Sequence, residues 1–167
     1  MSISQSLLPE FDAEMANTRK TLERVPDDKF NFKPHPKSAE MGWLANHLAN
    51  LVSWTKVTFQ TESLDIEPPG GSPYRADMAV NTKGVLEVFD KNLAEARAAL
   101  ESATDAEFMK NWTLLKGGNT VMTLPKVAVM RSFVMNHVIH HRAQLTVYLR
   151  LNDVPVPALY GPSADET

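Results

Sequence analysis

No cysteine occurs among the 167 residues, which excludes disulfides, thiolate metal ligands and cysteine nucleophiles together. A metal in this chain has only nitrogen and oxygen donors to bind it. The lack of cysteine also agrees with a reducing cytoplasm, the compartment expected here. Missing too is any run of about 20 apolar residues that would span a bilayer. The first residues, MSISQSLLPEFDAEM, have neither the basic start nor the long apolar core of a secretion signal. Charge of one sign is scarce as well: 17 Lys and Arg against 20 Asp and Glu leave a formal charge of -3. Neither nucleic acid nor an acidic membrane surface is therefore an expected partner. No internal repeat or low-complexity stretch is present. What remains is 43% hydrophobic, enough to give residues 1–167 one domain with an ordinary core.

Hydrophobic spacing predicts four helices. Leu8, Phe11, Met15, Thr18, Leu22 and Val25 recur in steps of three and four, a helical stripe ending near Pro26 and Asp27. The segment from Pro26 to Ser38, with three prolines, predicts a crossover loop containing Phe30 and Phe32. Ser38 is the expected N-cap of a second helix with a seam of Leu44, His47, Leu51, Trp54 and Thr58. Residues 62–77, with Pro68, Pro69, Gly70, Gly71 and Pro73, cannot continue a helix and suit a long crossover. A third helix is expected from about Met78 to Ser102, with Val85, Phe89, Leu93, Ala96 and Leu100 on one side. β-Prone residues flank Gly117 and Gly118, so a short hairpin or an irregular loop is expected over Asn111–Leu124. Pro125 suits the first turn of a fourth helix reaching Arg150, with a seam of Val127, Met130, Val134, His137, His141, Leu145 and Tyr148. The proline-rich tail is expected to fold over one end. The fold class is therefore all-α, a four-helix bundle with a long crossover connection.

The histidines carry the chemistry. His137 and His141 are four apart, so their rings leave one helix face one turn apart and reach a single ion. His47, at the centre of another apolar seam, supplies the third nitrogen once the two seams pack together. The bland alternative is three neutral core histidines bonded to backbone carbonyls or to Asn46, Asn50 or Asn136. Metal coordination is the more economical reading, because one ion satisfies all three rings while keeping them deprotonated. His140 falls outside the seam and His35 lies in a loop between prolines, so neither is taken as a ligand.

Three neutral ligands leave a coordination position free for water or substrate. No HExxH occurs, and the inward faces as drawn contain no Glu or Asp, so no general base is named. Arg142, Gln144 and Arg150 read as solvated flank residues at least as readily as substrate-binding ones. Trp43 and Trp54 bracket His47 and either wall a pocket or belong to the core.

The runs HVIHHRAQLTVYLRLNDVPVPALYGPSADE (137–166) and WLANHLANLVSW (43–54) resemble the C-terminal and second-helix segments of the DinB-like family. The resemblance implies a bundle of up-down-down-up topology, usually paired into homodimers, with nickel or zinc bound by three histidines that fall on His47, His137 and His141. Ala143 stands where that family's HHRGQ-like pattern usually has glycine, a departure that leaves the ligands in place. The implied activities are metal-dependent hydrolysis or transfer with a low-molecular-weight thiol, on a small-molecule substrate. The rival expectation is a non-catalytic metal- or partner-binding stress-response protein.

Overall fold

Ser2 starts the first helix. Its hydroxyl accepts from the Gln5 N–H at 3.1 Å, and the Gln5 side chain accepts from the Ser2 N–H at 2.9 Å, a reciprocal cap that satisfies two otherwise open groups. In the computed structural model, which describes residues 1–167, α1 runs Ile3–Leu22 and buries Leu7, Phe11, Met15, Thr18 and Leu22. It stops short of Pro26, and a 3-10 turn at Asp27–Lys29 leads into the loop.

α2 (Met41–Leu51) begins two residues later than expected, and Ser38 is not its cap. The loop does that work with its own backbone: Met41 N–H donates to Phe32 O at 3.0 Å and Gly42 N–H to Phe30 O at 2.8 Å. These carbonyls satisfy open donors that a side-chain cap would otherwise meet. The single second helix is in fact two, because the chain breaks at Val52 before α3 (Ser53–Gln60).

The connection after α3 is more ordered than its composition implies. Its first residues form β1 (Ser63–Asp65), and both of its ends are pinned. The Asp65 carboxylate accepts the Gly117 and Gly118 N–H groups at 3.0 and 2.7 Å. At the far end Asn50 Nδ2 donates to Asp77 O, and Asn46 exchanges bonds with the Ala79 carbonyl and N–H. Asn81 then caps α4 (Thr82–Ser102), which starts four residues beyond Met78.

A short α5 (Asp105–Met109) precedes a hairpin of β2 (Asn111–Lys116) and β3 (Asn119–Pro125). Gly117 and Gly118 have φ of 61° and 76°, the left-handed pair that a two-residue hairpin turn needs and that glycine adopts without strain. β1 pairs parallel to β2, so the all-α expectation is amended by a three-stranded sheet, order β1-β2-β3. Pro125 ends β3 and does not enter the helix that follows.

The fourth helical run has three parts: α6 (Lys126–Ala128), a π-helical stretch Val129–Met135, and α7 (Asn136–Arg150). A π turn holds an extra residue, so everything beyond it is rotated relative to a straight α-helix. The buried stripe is accordingly Val134, Val138, Arg142, Leu145 and Leu149, while His137, His141 and Tyr148 lie half-buried along its border. α1, α2, α4 and α7 pack on one another around the main core, and the sheet closes a second cluster of Trp112, Leu114 and Val129.

Arg142 is not a solvated flank residue. It is 1% exposed, and its Nη2 pairs with Glu14 Oε2 at 2.6 Å. Glu14 is itself 8% exposed, so an inward carboxylate does exist. Tyr160, from the tail, donates its hydroxyl to the same Glu14 oxygen at 2.7 Å, which ties the C-terminal segment to α1 and α7.

Candidate metal centre

His47 comes from the second turn of α2, and His137 and His141 come from the first two turns of α7. The α2–α7 packing closes the gap of 90 residues between them, leaving His47 Nε2 and His137 Nε2 3.4 Å apart. All three rings offer a nitrogen within 4.8 Å of the others. Two imidazole nitrogens held about 2.0–2.1 Å from one ion at tetrahedral angles lie roughly 3.3–3.4 Å apart. The His47–His137 pair has that spacing, and His141 completes a group of three nitrogens close enough together to hold a divalent ion. Neutral imidazoles suit zinc, copper, iron and nickel alike.

The three rings are held by different neighbours. Trp43 stacks on His47, with ring centroids 4.8 Å apart and planes 15° from parallel. Gln144 Oε1 lies 2.7 Å from His141 Nδ1, which places the proton on Nδ1 and leaves Nε2 free as an electron-pair donor. The Phe133 ring packs against His137, centroids 5.8 Å apart. Gln144 thus orients a ligand, a role that its spacing of i+3 from His141 could have suggested.

Electrostatics favour the neutral rings. Burial, followed by repulsion from His141 and His137, pushes His47 down to about 4. His137 is lowered by burial and then by His141, against the opposing pull of the Phe133 backbone. Burial also lowers His141, with Gln144 acting the other way. All three are unprotonated near pH 7, the form that binds metal.

His140 is exposed and its ring packs beside His141, outside the group of three. His35 is exposed in its loop. Asn46 and Asn50 bond backbone groups of their own helix and of the 61–81 connection, so they do not serve the histidines. Trp43 is 46% exposed at the mouth of the site and Trp54 sits deeper, between Phe133 and Trp112. Phe133 stands outside the expected seam, yet it lies four residues before His137 and its ring packs next to that imidazole.

His47 and His137 also form one end of a cavity of about 320 Å³. No free carboxylate opens into it. Glu67, at its rim, is paired with Lys116 at 3.2 Å, and Glu14 is engaged by Arg142 and Tyr160.

Comparison with known proteins places the molecule. The family model described as the DinB superfamily matches residues 10–145. An uncharacterized protein of Bacillus subtilis strain 168, YrdA, is 25% identical over 161 residues, covering 94% of this chain and 86% of its own. Among solved structures, a DinB-like protein from Bacillus cereus ATCC 10987 superposes with a TM-score of 0.73 at 20% identity, over 95% of this chain and 98% of that one. The DinB-like protein YjoA of Bacillus subtilis gives 0.72 at 16% identity, over 94% and 99%. These likenesses extend to the fold.

Proposed function

The chain belongs to the DinB superfamily, and from that premise we propose that it is a metal-dependent enzyme of small-molecule chemistry, a hydrolase or a low-molecular-weight-thiol transferase. His47, His137 and His141 hold one divalent ion, nickel or zinc. The observation that carries this reading is the 3.4 Å approach of two ring nitrogens from separate helices, beside a cavity large enough for a substrate.

When bound, a divalent ion supplies Lewis-acid polarisation of a substrate oxygen or sulfur. The chain's residues supply the rest. Burial keeps the three rings neutral and available. Gln144 and Trp43 fix the orientation of His141 and His47, and the apolar cavity walls exclude water from one side of the site.

Between the two chemistries, the lack of a free carboxylate favours thiol transfer. A thiol ionises near pH 8.5 while bulk water requires about 15.7, so a thiol needs far less help from a base. The same lack also favours the second reading, a non-catalytic metal-binding protein of stress response.

The surrounding proposals follow the family resemblance: an up-down-down-up four-helix bundle, a homodimer, and a cytoplasmic location. No helix is long and apolar enough to cross a membrane.

The test is metal analysis joined to activity. The purified protein is expected to hold close to one divalent ion per chain, with His47→Ala and His141→Ala each removing it; full retention in both variants sinks the site. Turnover of a panel of thiols with electrophiles, and of esters and amides, is expected to stop on chelation. Metal occupancy without turnover selects the binding role.

A further inference from the structure

The cavity beside the histidines has walls of a definite chemistry. Trp54, at its centre, meets Tyr74 and Phe133 edge-on, with ring centroids 5.6 and 5.2 Å away. Leu51, Ile66 and Leu114 complete the apolar lining. Four separate parts of the fold therefore converge on the space: the α2–α3 break, the pinned 61–81 connection, β2, and the π stretch with the start of α7.

The polar groups at the cavity are few. The Glu67 carboxylate is neutralised by Lys116, so no unpaired charge faces an occupant. An anionic or cationic group placed there would lose its hydration without gaining a counter-charge. An uncharged ring would lose only unfavourable contact with water and gain edge and face contacts with three aromatic side chains.

Size points the same way. A cavity of about 150 Å³ is enough for benzene, and this one measures about 320 Å³. It takes a ring together with the short linker that would lead from it to the histidines.

We propose that this cavity is the specificity pocket, and that it binds an uncharged aromatic or comparably bulky apolar group of a small-molecule substrate whose polar end lies at His47 and His137. The inference rests on the three-histidine reading for its polar end, and on the cavity walls alone for its apolar end. It assigns the charged part of any thiol co-substrate to the solvent side of the site, near exposed Trp43 and His140.

Ile66 and Tyr74 are suited to a test because both lie on the connection and outside the main core. Zinc-loaded protein is titrated calorimetrically with benzohydroxamic acid and acetohydroxamic acid, two metal-binding groups that differ by a ring. The ring compound is expected to bind at least tenfold more tightly. Ile66→Trp, which fills the cavity, is expected to abolish that preference while leaving zinc content and acetohydroxamic acid affinity unchanged. Tyr74→Ala, which removes one wall, is expected to reduce it severalfold.

A second measurement needs no metal. Saturation-transfer NMR with benzyl alcohol on chelator-treated protein is expected to show binding that Ile66→Trp eliminates. Equal affinity for the two hydroxamic acids, or benzyl alcohol binding unchanged in Ile66→Trp, overturns the pocket assignment. Benzyl alcohol binding sensitive to Ile66→Trp, in a protein that holds no zinc, upholds the pocket and overturns the three-histidine reading instead.

Discussion

The indole of Trp43 lies flat against the imidazole of His47, 4.8 Å away and 15° from parallel, although Trp43 is 46% exposed. An exposed tryptophan contributes little to the core, so this contact acts mainly on the orientation of one ligand ring. Trp43→Ala is expected to weaken zinc binding by roughly 3–10-fold, as loss of a ligand's supporting contact does, with little change in the melting temperature of the metal-free protein. Competition titration against a zinc chelator measures the first, and calorimetry the second.

Gln144 should act on the same affinity by a different route. Its Oε1 fixes the Nδ1 proton of His141, and Gln144→Leu keeps much of the side-chain volume while removing that acceptor. Zinc affinity is expected to fall about tenfold. Gln144→Glu is expected to restore it, because a carboxylate accepts the same hydrogen bond.

The metal-free protein should lose stability in mildly acid solution. His47 titrates at about 4 in the folded chain, lowered by burial and then by its two histidine neighbours, against about 6.5 when unfolded. The unfolded chain therefore binds the extra proton first. The contribution of neutral His47 is complete above pH 6.5 and declines as the pH falls towards 4. Solvent screening at a half-buried ring limits the loss to about 1–2 kcal/mol. Urea midpoints measured with chelator between pH 7 and 4 should show the decline, and His47→Asn should flatten it.

Arg142 and Glu14 form a buried pair at 2.6 Å, and removing one partner strands the other. Arg142→Met is expected to cost about 3–5 kcal/mol. The double variant Arg142→Met with Glu14→Leu should recover most of that, because two apolar side chains replace two charges. Urea unfolding of the single and double variants decides it; equal destabilisation by both would contradict the account.

Gly42 permits a close approach. A Cβ there would lie 2.3 Å from Phe30 Cδ1, so Gly42→Ala must displace the ring that packs the 26–40 loop on α2. The expected cost is about 1–3 kcal/mol of stability, read from thermal unfolding. Phe30→Ala combined with Gly42→Ala should show less than the sum of the two single losses, since the clash disappears with the ring.

The seams of α1, α2 and α4 were legible in the sequence because each is set by local periodicity: Phe11 and Met15, Leu44 and Leu51, Phe89 and Ala96 point to one side of any regular helix. The three histidines were legible for the same reason. Arg142 was misread because a charged residue on a helix flank is usually solvated, and the inward Glu14, Thr18 and the tail's Tyr160 make its burial tolerable. Phe133 stood outside the expected stripe of Met130 and Val134, although its place four residues before His137 sets it beside that ring. β1 was hidden as well, since three residues in a connection carry no periodicity, and their pairing depends on a strand about fifty residues away.

By itself, then, the sequence determined the helical stripes, a turn or loop at Gly117 and Gly118, and a nitrogen-only set of candidate ligands. These follow from side-chain spacing and from residue types whose preferences are local. Tertiary structure decided the 3.4 Å meeting of His47 with His137, the π rotation that turns His137 and His141 towards the border of the core, and the aromatic cavity alongside. Each of these depends on how separate elements pack, and the free energy that selects the packing is summed over the whole core and cannot be read from any one segment.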